Sequence, residues 1–182
     1  MLARSEAFDA VVVAMVGERN REVREFLEES IGPEHMAKTI AVVATSDESP
    51  ILRRRAPEFA LDICQSLRRK GKRVLLLMDS VTRYAHALRE IGISRNEPPI
   101  ARGYPASVFG QLPKLLERAG PGAEEQGSIT AIITVLVDGD DHKAGDGIAF
   151  DEDAIKFIEI KTGTSTLNKK QRKIKKKIPK IT

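Results

Sequence analysis

Two acidic residues stand just after apolar, β-type runs, and their positions predict a shared site. Glu18 follows the run 10–16, and Asp79 closes the run 74–78. In an open parallel α/β sheet, ligands bind outside the carboxyl ends of the strands. We therefore expect Glu18 and Asp79 to face one crevice, although about sixty residues separate them. One carboxylate can hold Mg²⁺ and the other can orient an attacking water, as a Mg–nucleotide site requires.

Two arginines lie close to these acids in the sequence. Arg19 comes directly after Glu18, and Arg83 comes four residues after Asp79. Either guanidinium could contact phosphate oxygens. The alternatives are structural: Glu18 and Asp79 could cap the helices that follow them, and both arginines could be solvated or ion-paired surface residues.

Helical stretches separate the apolar runs, which indicates an α/β fold with a mostly parallel sheet and helices on both faces. The run 10–16 is continuous instead of alternating, so we expect a strand that is buried on both faces. A Pro/Gly-rich loop is expected at 92–106, where long connections are often functional. The predicted strands are 10–16, 40–44, 74–78 and 129–137, and the predicted helices are 20–30, 57–70, 84–91 and 107–119.

Composition limits the classes of protein to consider. Of the 182 residues, 41% are hydrophobic and 31% are charged, as expected for one domain without a membrane span. Cys64 is the single cysteine, which excludes an internal disulfide and fits a reducing cytoplasm. Eight basic residues and no acidic ones lie within 169–182. This tail could bind nucleic acid or anionic lipid, although a solvated tail is the favoured alternative.

Five segments in this order resemble the catalytic core of the flagellar and type III secretion export ATPases, relatives of the rotary ATP synthase catalytic subunit. They are VGERNREVREFLEE, ATSDESPILRRRAPEFALDI, LLLMDSVTRYAHALREIGISRNEPP, ARGYPASVFGQLPKLLERAG and GSITAIITVLVDGDD. The resemblance covers residues 1–141 and implies a RecA-like P-loop ATPase fold. It also implies ATP and Mg²⁺ as ligands, a homohexamer, export-apparatus partners, and a cytoplasmic location that could include the membrane export gate.

The same resemblance implies a role for individual residues. Asp79 would be the Walker B aspartate that holds the metal, and Glu18 would activate water beside Arg19. Arg83 would lie on the phosphate side, and Tyr104 would sit in the loop that communicates with the neighbouring subunit.

The phosphate-binding motif G-x-x-x-x-G-K-[ST] does not occur in this sequence. In the resembling family it comes just before the stretch that matches residues 1–4. We therefore expect the chain to start inside or just after the P-loop helix, as a truncated core that hydrolyses ATP poorly.

The polar segment 142–182 forms a second predicted region, with a short alternating strand and the basic tail. Part of it, about 146–178, resembles archaeal Holliday-junction-resolvase-like endonucleases. That resemblance implies Asp146 or Asp151 as an upstream metal ligand, with Glu159 and Lys161 as the Glu-x-Lys pair. A metal-dependent nuclease-like or nucleic-acid-binding module is thus one alternative function. A non-catalytic oligomerisation fragment is the other.

Overall fold

The computed structural model describes residues 7–123 and 125–136. The strands are β1 Ala10–Val16, β2 Thr39–Ala44, β3 Arg73–Asp79, β4 Pro99–Ala101, β5 Tyr104–Pro105, β6 Gly120–Pro121 and β7 Ser128–Ile133. The helices are α1 Asn20–Glu25, α2 Pro33–Met36, α3 Pro50–Arg69, α4 Val81–Ser94 and α5 Ala106–Leu116, with a π-helical segment at Phe26–Ile31. The α/β fold predicted from the sequence is confirmed.

The main sheet has the strand order β2-β1-β3-β7-β6. The strands β2, β1, β3 and β7 run parallel, and only the two-residue β6 pairs antiparallel, at the start of β7. Because neighbouring parallel strands end at the same edge of a sheet, the carboxyl ends of β1 and β3 meet. The short strands β4 and β5 form a separate hairpin inside the predicted loop 92–106.

Helices cover both faces of the sheet. On one face, α3, α4 and α5 enclose a core that includes Val12, Leu76 and Tyr84. On the other, α1 and the π-helical segment pack over Val11, Val13 and neighbours. Alternate residues of β1 therefore enter different cores, as its continuous apolar sequence predicts, and each fully buried side chain contributes about 1.5–3 kcal/mol.

A polar network joins α3 to its neighbours inside the larger layer. The Tyr84 hydroxyl donates to Glu58 Oε1 at 3.2 Å, and Arg54 Nε donates to the same oxygen at 3.0 Å. Arg118, just after α5, donates to the Glu58 carbonyl at 3.3 Å, to Gln65 Oε1, and to Asp62. We call Arg54, Glu58, Tyr84 and Arg118 the α3 clamp. Burial, and then the nearby Glu58 carboxylate, raises the pKa of Tyr84.

The main error in the predicted helices concerns α3, which begins at Pro50 and not at residue 57. The Ser49 side chain accepts a hydrogen bond from the Leu52 backbone N–H at 3.3 Å, and Pro50 occupies the first turn, where no amide donor is needed. Pro57 lies inside the helix and is buried. The predicted start at residue 57 is wrong because α3 accommodates Pro57 in its interior.

Smaller differences affect other boundaries. The predicted helix 20–30 divides into α1 and the π-helical segment, which ends at Gly32 with φ 80°. Helix α4 starts at Val81, earlier than predicted, since the Ser80 side chain accepts from the Arg83 backbone N–H at 3.4 Å. Helix α5 ends at Leu116 and β7 at Ile133, both earlier than predicted. The predicted region 142–182 lies outside the described residues.

Candidate functional site

The strand register brings Glu18 and Asp79 to one edge of the sheet. Met15 of β1 lies opposite Asp79, the last residue of β3, and Glu18 comes two residues beyond the end of β1. The Asp79 charge acts on the Glu18 carboxyl, so the two groups are electrostatic neighbours. Both acids therefore lie at the same edge of the sheet, as predicted, and the shared crevice stays a prediction.

Arg83 joins this edge from the first turn of α4. Its Nε lies 2.9 Å from Glu18 Oε1, and its Nη2 donates to Oε2 at 3.3 Å. Gly17 makes the approach feasible: it has φ 70°, and a Cβ there would lie 2.8 Å from Arg83 Cδ. Glycine at position 17 therefore leaves room for the Arg83 side chain to reach Glu18.

The pKa of the Glu18 carboxyl lies close to neutral pH. It is only 8% exposed, and burial is the main reason why its pKa is raised to about 7 from an ordinary value of 4.5. A hydrogen bond with Glu22 and the charges of Asp79 and Glu22 act in the same direction, while Arg83 opposes them. The exposed Glu22 carboxyl, in turn, has a lowered pKa because Glu18 and the Arg19 backbone donate to it. The shared proton thus resides on Glu18, and a carboxyl with this pKa suits a general base at neutral pH.

Asp79 is held in place from the neighbouring strand. The Thr134 hydroxyl, just after β7, donates to Asp79 Oδ1, and the Thr134 backbone N–H donates to the Met78 carbonyl at 3.0 Å. Asp79 is half-buried, so one carboxylate oxygen is fixed while the group still reaches the surface of the edge. We call Glu18, Glu22, Asp79, Arg83 and Thr134 the carboxylate edge.

The few carboxylates at this edge suit Mg²⁺, which keeps water and phosphate ligands, better than they suit a metal ion whose ligands all come from the protein. Among residues 7–123 and 125–136, no group of three or more His, Cys, Asp or Glu side chains is arranged to hold a metal ion. Mg²⁺ in phosphoryl-transfer sites is commonly bound by one or two carboxylates together with substrate phosphates and water. A half-buried Asp79 beside a buried acid and an arginine matches that chemistry.

The other two predicted site residues, Arg19 and Tyr104, do not belong to the carboxylate edge. Arg19 is exposed at the start of α1, where its backbone N–H donates to Glu22 Oε2 at 3.4 Å and its charge helps to lower the pKa of Glu22. Tyr104 lies in β5 against α4: its ring stacks on His86 with centroids 6.2 Å apart, and Arg89 Cζ lies 5.2 Å from its centroid. The contact of Tyr104 with a neighbouring subunit stays a prediction.

Sequence reasoning missed Glu22 and Thr134. Glu22 follows Glu18 by four residues, a spacing that could have suggested contact once a turn of helix was placed there. Thr134 was placed inside the predicted strand 129–137, although β7 ends one residue before it. A polar residue after β7 repeats the pattern by which Asp79 was found.

Several predictions fall on the undescribed segment. Asp146, Asp151, Glu159 and Lys161, proposed as an alternative nuclease site, lie outside the described residues, as does the basic tail. For the part of the chain that the structure does describe, no helix is both long enough and apolar enough to cross a bilayer.

Comparison with known proteins identifies relatives at the level of sequence. The ATP synthase alpha/beta family, nucleotide-binding domain, matches residues 1–170. That match includes the four residues of the alternative nuclease site, so the comparison gives the nuclease-like interpretation no support.

Two curated relatives illustrate the similarity. The flagellum-specific ATP synthase of Rhizobium meliloti is 65% identical over 142 residues, which make up 78% of this chain and 30% of that protein. The type 3 secretion system ATPase of Sinorhizobium fredii is 51% identical over 148 residues, 81% of this chain and 32% of that protein. The chain therefore spans about a third of the length of these relatives.

Solved structures agree with the sequence comparison. A prototypical ATPase from the type III secretion system of pathogenic bacteria superposes with a TM-score of 0.71 at 48% identity, covering 76% of this chain and 39% of that one. The ATPase EscN from enteropathogenic E. coli, assembled with its central stalk EscO, gives 0.70 at 48% identity, covering 75% and 33%. The α/β nucleotide-binding fold is thus shared with these proteins.

Proposed function

Because the chain belongs to the ATP synthase alpha/beta family, we propose that it contributes the carboxylate edge to ATP hydrolysis that drives flagellar or type III protein export. The single observation that carries this proposal is the Glu18 carboxyl, buried and paired with Arg83 at 2.9 Å on the edge where Asp79 also lies. The names of the relatives, a flagellum-specific ATP synthase and a type 3 secretion system ATPase, supply the process.

Each residue of the edge has a distinct task in this proposal. Asp79 holds Mg²⁺, which when bound neutralises charge on the phosphates of ATP. Glu18 accepts a hydrogen bond from the attacking water and takes up its proton, a role supported by its pKa of about 7. Arg83 orients the Glu18 carboxylate and faces the phosphate side, and Arg19 adds positive charge beside Glu22.

The proposal extends to the assembly. EscN has been solved assembled and with its central stalk EscO, and this supports a homo-oligomer, a hexamer, with export-apparatus proteins as partners. Tyr104 would contact the neighbouring subunit. The location would be cytoplasmic, with the membrane export gate as the place where the machine docks.

A hybrid protein tests the proposal, because the chain covers 30% of the Rhizobium meliloti relative. In the hybrid, the 142 matched residues of that relative are replaced by those of this chain. We expect the hybrid to hydrolyse ATP. Glu18→Gln should lower kcat by about a hundredfold or more, as the loss of a general base does, while leaving ADP binding intact.

Glu25→Gln provides the matched control, since Glu25 is an exposed glutamate of α1. This variant should keep the full rate of the hybrid. Unchanged turnover in Glu18→Gln, or an equal loss in both variants, would contradict the assignment of the base.

A further inference from the structure

A short segment after β7, residues 134–136, continues the pairing of β7 with β3 beyond the sheet itself. We call this segment the β7 extension. The last register pair joins Met78 to Ile133, and the Thr134 backbone N–H then donates to the Met78 carbonyl at 3.0 Å. The next residue of β3 is Asp79, so continued pairing brings the Thr134 side chain beside the Asp79 carboxylate.

Contacts with the start of α4 and with the core hold the β7 extension in place. The Val81 N–H, in the first turn of α4, lacks a partner within the helix and donates to the Thr134 carbonyl at 3.2 Å. The Leu136 N–H donates to Thr82 Oγ1 at 2.9 Å, and the Thr82 hydroxyl donates to the Leu136 carbonyl at 3.3 Å. Val135 packs against the larger core. The backbone of the extension is therefore fixed without help from the Thr134 hydroxyl.

That hydroxyl is directed at a single oxygen of Asp79. A threonine hydroxyl has one proton to donate, and here the proton goes to Asp79 Oδ1. An oxygen that already accepts a charge-assisted hydrogen bond is less available to a metal ion, so Oδ2 is the oxygen that we assign to the metal. Partners of this kind orient carboxylates that bind metals, and their loss commonly weakens metal binding by roughly 10–100-fold.

The number of oxygens that Asp79 can offer bears on which metal ion it favours. Ca²⁺ takes about six to eight oxygen ligands in a flexible arrangement and accepts both oxygens of one carboxylate. Mg²⁺ is smaller and requires a nearly octahedral arrangement, and the two oxygens of one carboxylate lie too close together to fit that arrangement well. A carboxylate with only one available oxygen therefore suits Mg²⁺ better than Ca²⁺.

We propose that Thr134 is a positioning residue that sets metal specificity: its hydroxyl occupies Asp79 Oδ1, leaves one oxygen available, and so favours Mg²⁺ over Ca²⁺. The inference rests on the proposed function, because it takes Asp79 as the residue that holds the metal. It goes further in assigning the choice of metal to a side chain that acts through Asp79. The β7 extension supplies the fixed backbone that this role requires.

The test measures metal binding to the hybrid protein with ADP bound, so that no turnover is needed. Displacement of Mn²⁺, followed by electron paramagnetic resonance, gives the dissociation constants of Mg²⁺ and Ca²⁺. Thr134→Val keeps the shape of the side chain and removes the donor, so it should weaken Mg²⁺ binding roughly tenfold. Ca²⁺ binding should weaken less, because Oδ1 becomes available to it. Thr134→Ser keeps the donor and should retain the wild-type preference.

Two further threonine variants separate positioning from a loss of stability. Thr82→Val removes both hydrogen bonds with Leu136 and should lower the free energy of unfolding in urea, while the preference for Mg²⁺ stays. Thr130→Val, at an exposed residue of β7, is the matched control and should change neither the stability nor the preference. Should circular dichroism show that Thr134→Val is unfolded, Thr134→Ala replaces it.

The ratio of the two dissociation constants decides the outcome. An unchanged ratio in Thr134→Val overturns the inference, even if both ions bind more weakly, and so does an equal change of the ratio in Thr82→Val. If Asp79→Asn leaves Mg²⁺ binding intact, the assignment of Asp79 fails and this inference fails with it. If the ratio changes as expected but Glu18→Gln keeps its turnover, the assignment of the base fails and this inference stands.

Discussion

The carboxylate edge and the α3 clamp each contain a glutamate that meets an arginine, yet the two glutamates have opposite surroundings. Glu58 receives hydrogen bonds from Arg54 and from the Tyr84 hydroxyl. Glu18 has one cation, Arg83, and is flanked by Asp79 and Glu22, both of which disfavour its charge. Hydrogen-bond donors thus satisfy the Glu58 carboxylate, whereas the Glu18 carboxyl has more acidic than basic neighbours.

This difference separates a stabilising network, the α3 clamp, from the network that we propose to be catalytic, the carboxylate edge. In the clamp, every polar partner lowers the cost of burial, as expected for interactions that hold α3 and α5 together. At the carboxylate edge, burial and neighbouring acids raise the pKa of Glu18 to about 7, and this cost to stability is what the proposed role of Glu18 as a base would require. The predictions below test this contrast.

The largest difference is expected between two arginine substitutions in the hybrid ATPase. Arg83→Met should lower kcat by about a hundredfold or more, because a charged donor is lost where phosphate charge develops. Arg54→Met, in the α3 clamp, should lose about 1 kcal/mol of unfolding free energy and keep kcat. Steady-state kinetics with urea unfolding of both variants measures this, and comparable kcat losses would remove the distinction between the two regions.

The next largest effect is expected in the pH dependence of the free energy of unfolding. The folded pKa of Glu18, about 7, lies above its ordinary value of 4.5, so its contribution to stability is full below pH 4.5 and is lost as the pH rises through 7. The slope is at most about 1.4 kcal/mol per pH unit. Glu18→Gln keeps an N–H donor toward Glu22 and should flatten the curve in this window.

Urea unfolding of the chain across that interval measures the slope, with Glu25→Gln as the control. The lowered pKa of Glu22 acts at lower pH, where its stabilisation is lost on acidification, and so does not mask the effect. A Glu18→Gln curve parallel to that of the wild type would show that the carboxyl is not perturbed.

Gly17 offers a steric test of the carboxylate edge. Gly103→Ala should cost about 1–2 kcal/mol, since Gly103 has φ 79° and a Cβ there meets nothing within 4 Å. Gly17→Ala should cost about 1 kcal/mol more, because its Cβ also displaces Arg83. Urea unfolding of the two variants isolates the contact, and equal losses would mean that Arg83 moves freely.

The smallest effect is expected in the α3 clamp. Tyr84→Phe removes the hydrogen bond to Glu58 and should lower the unfolding free energy by about 1 kcal/mol. Combining it with Glu58→Ala in a double-mutant cycle isolates the pair. Additive losses would show that the two side chains are not coupled.

Reasoning from strand ends found the centre of the candidate site. Glu18 and Asp79 were predicted because side chains at the ends of neighbouring parallel strands meet, and this rule needs no knowledge of side-chain contacts. The role of Arg83 came from the family resemblance. Glu22 was missed because its role depends on a proton shared between two carboxyls. Only the burial of Glu18 makes that sharing favourable, and burial of a polar residue after a strand is not visible in the sequence.

The fold, too, was predicted only in part: the central position of β1 was correct, and the start of α3 was not. The continuous apolar run of β1 indicated its central position, since a strand covered on both faces has no polar side. Pro57 misled the prediction of α3, because proline usually ends or begins a helix, whereas here the Ser49 cap starts the helix earlier. The exposure of the apolar residues of β2 could not be predicted either, because an apolar strand is expected to be buried until its neighbours in the sheet are known.

The register of the sheet also bears on how the chain folds. The pairing of Arg73 with Ser128 joins residues about fifty-five apart, across α4, the hairpin and α5. In contrast, α3 and β3 are linked by a short turn through Gly71 and can meet early. Because contacts distant in sequence form slowly, we expect the pairing of β3 with β7, like its pairing with β1, to form late in folding. The hydrogen bond from the Thr134 hydroxyl to Asp79 would then form only late, so the carboxylate edge would be completed with the slow folding steps.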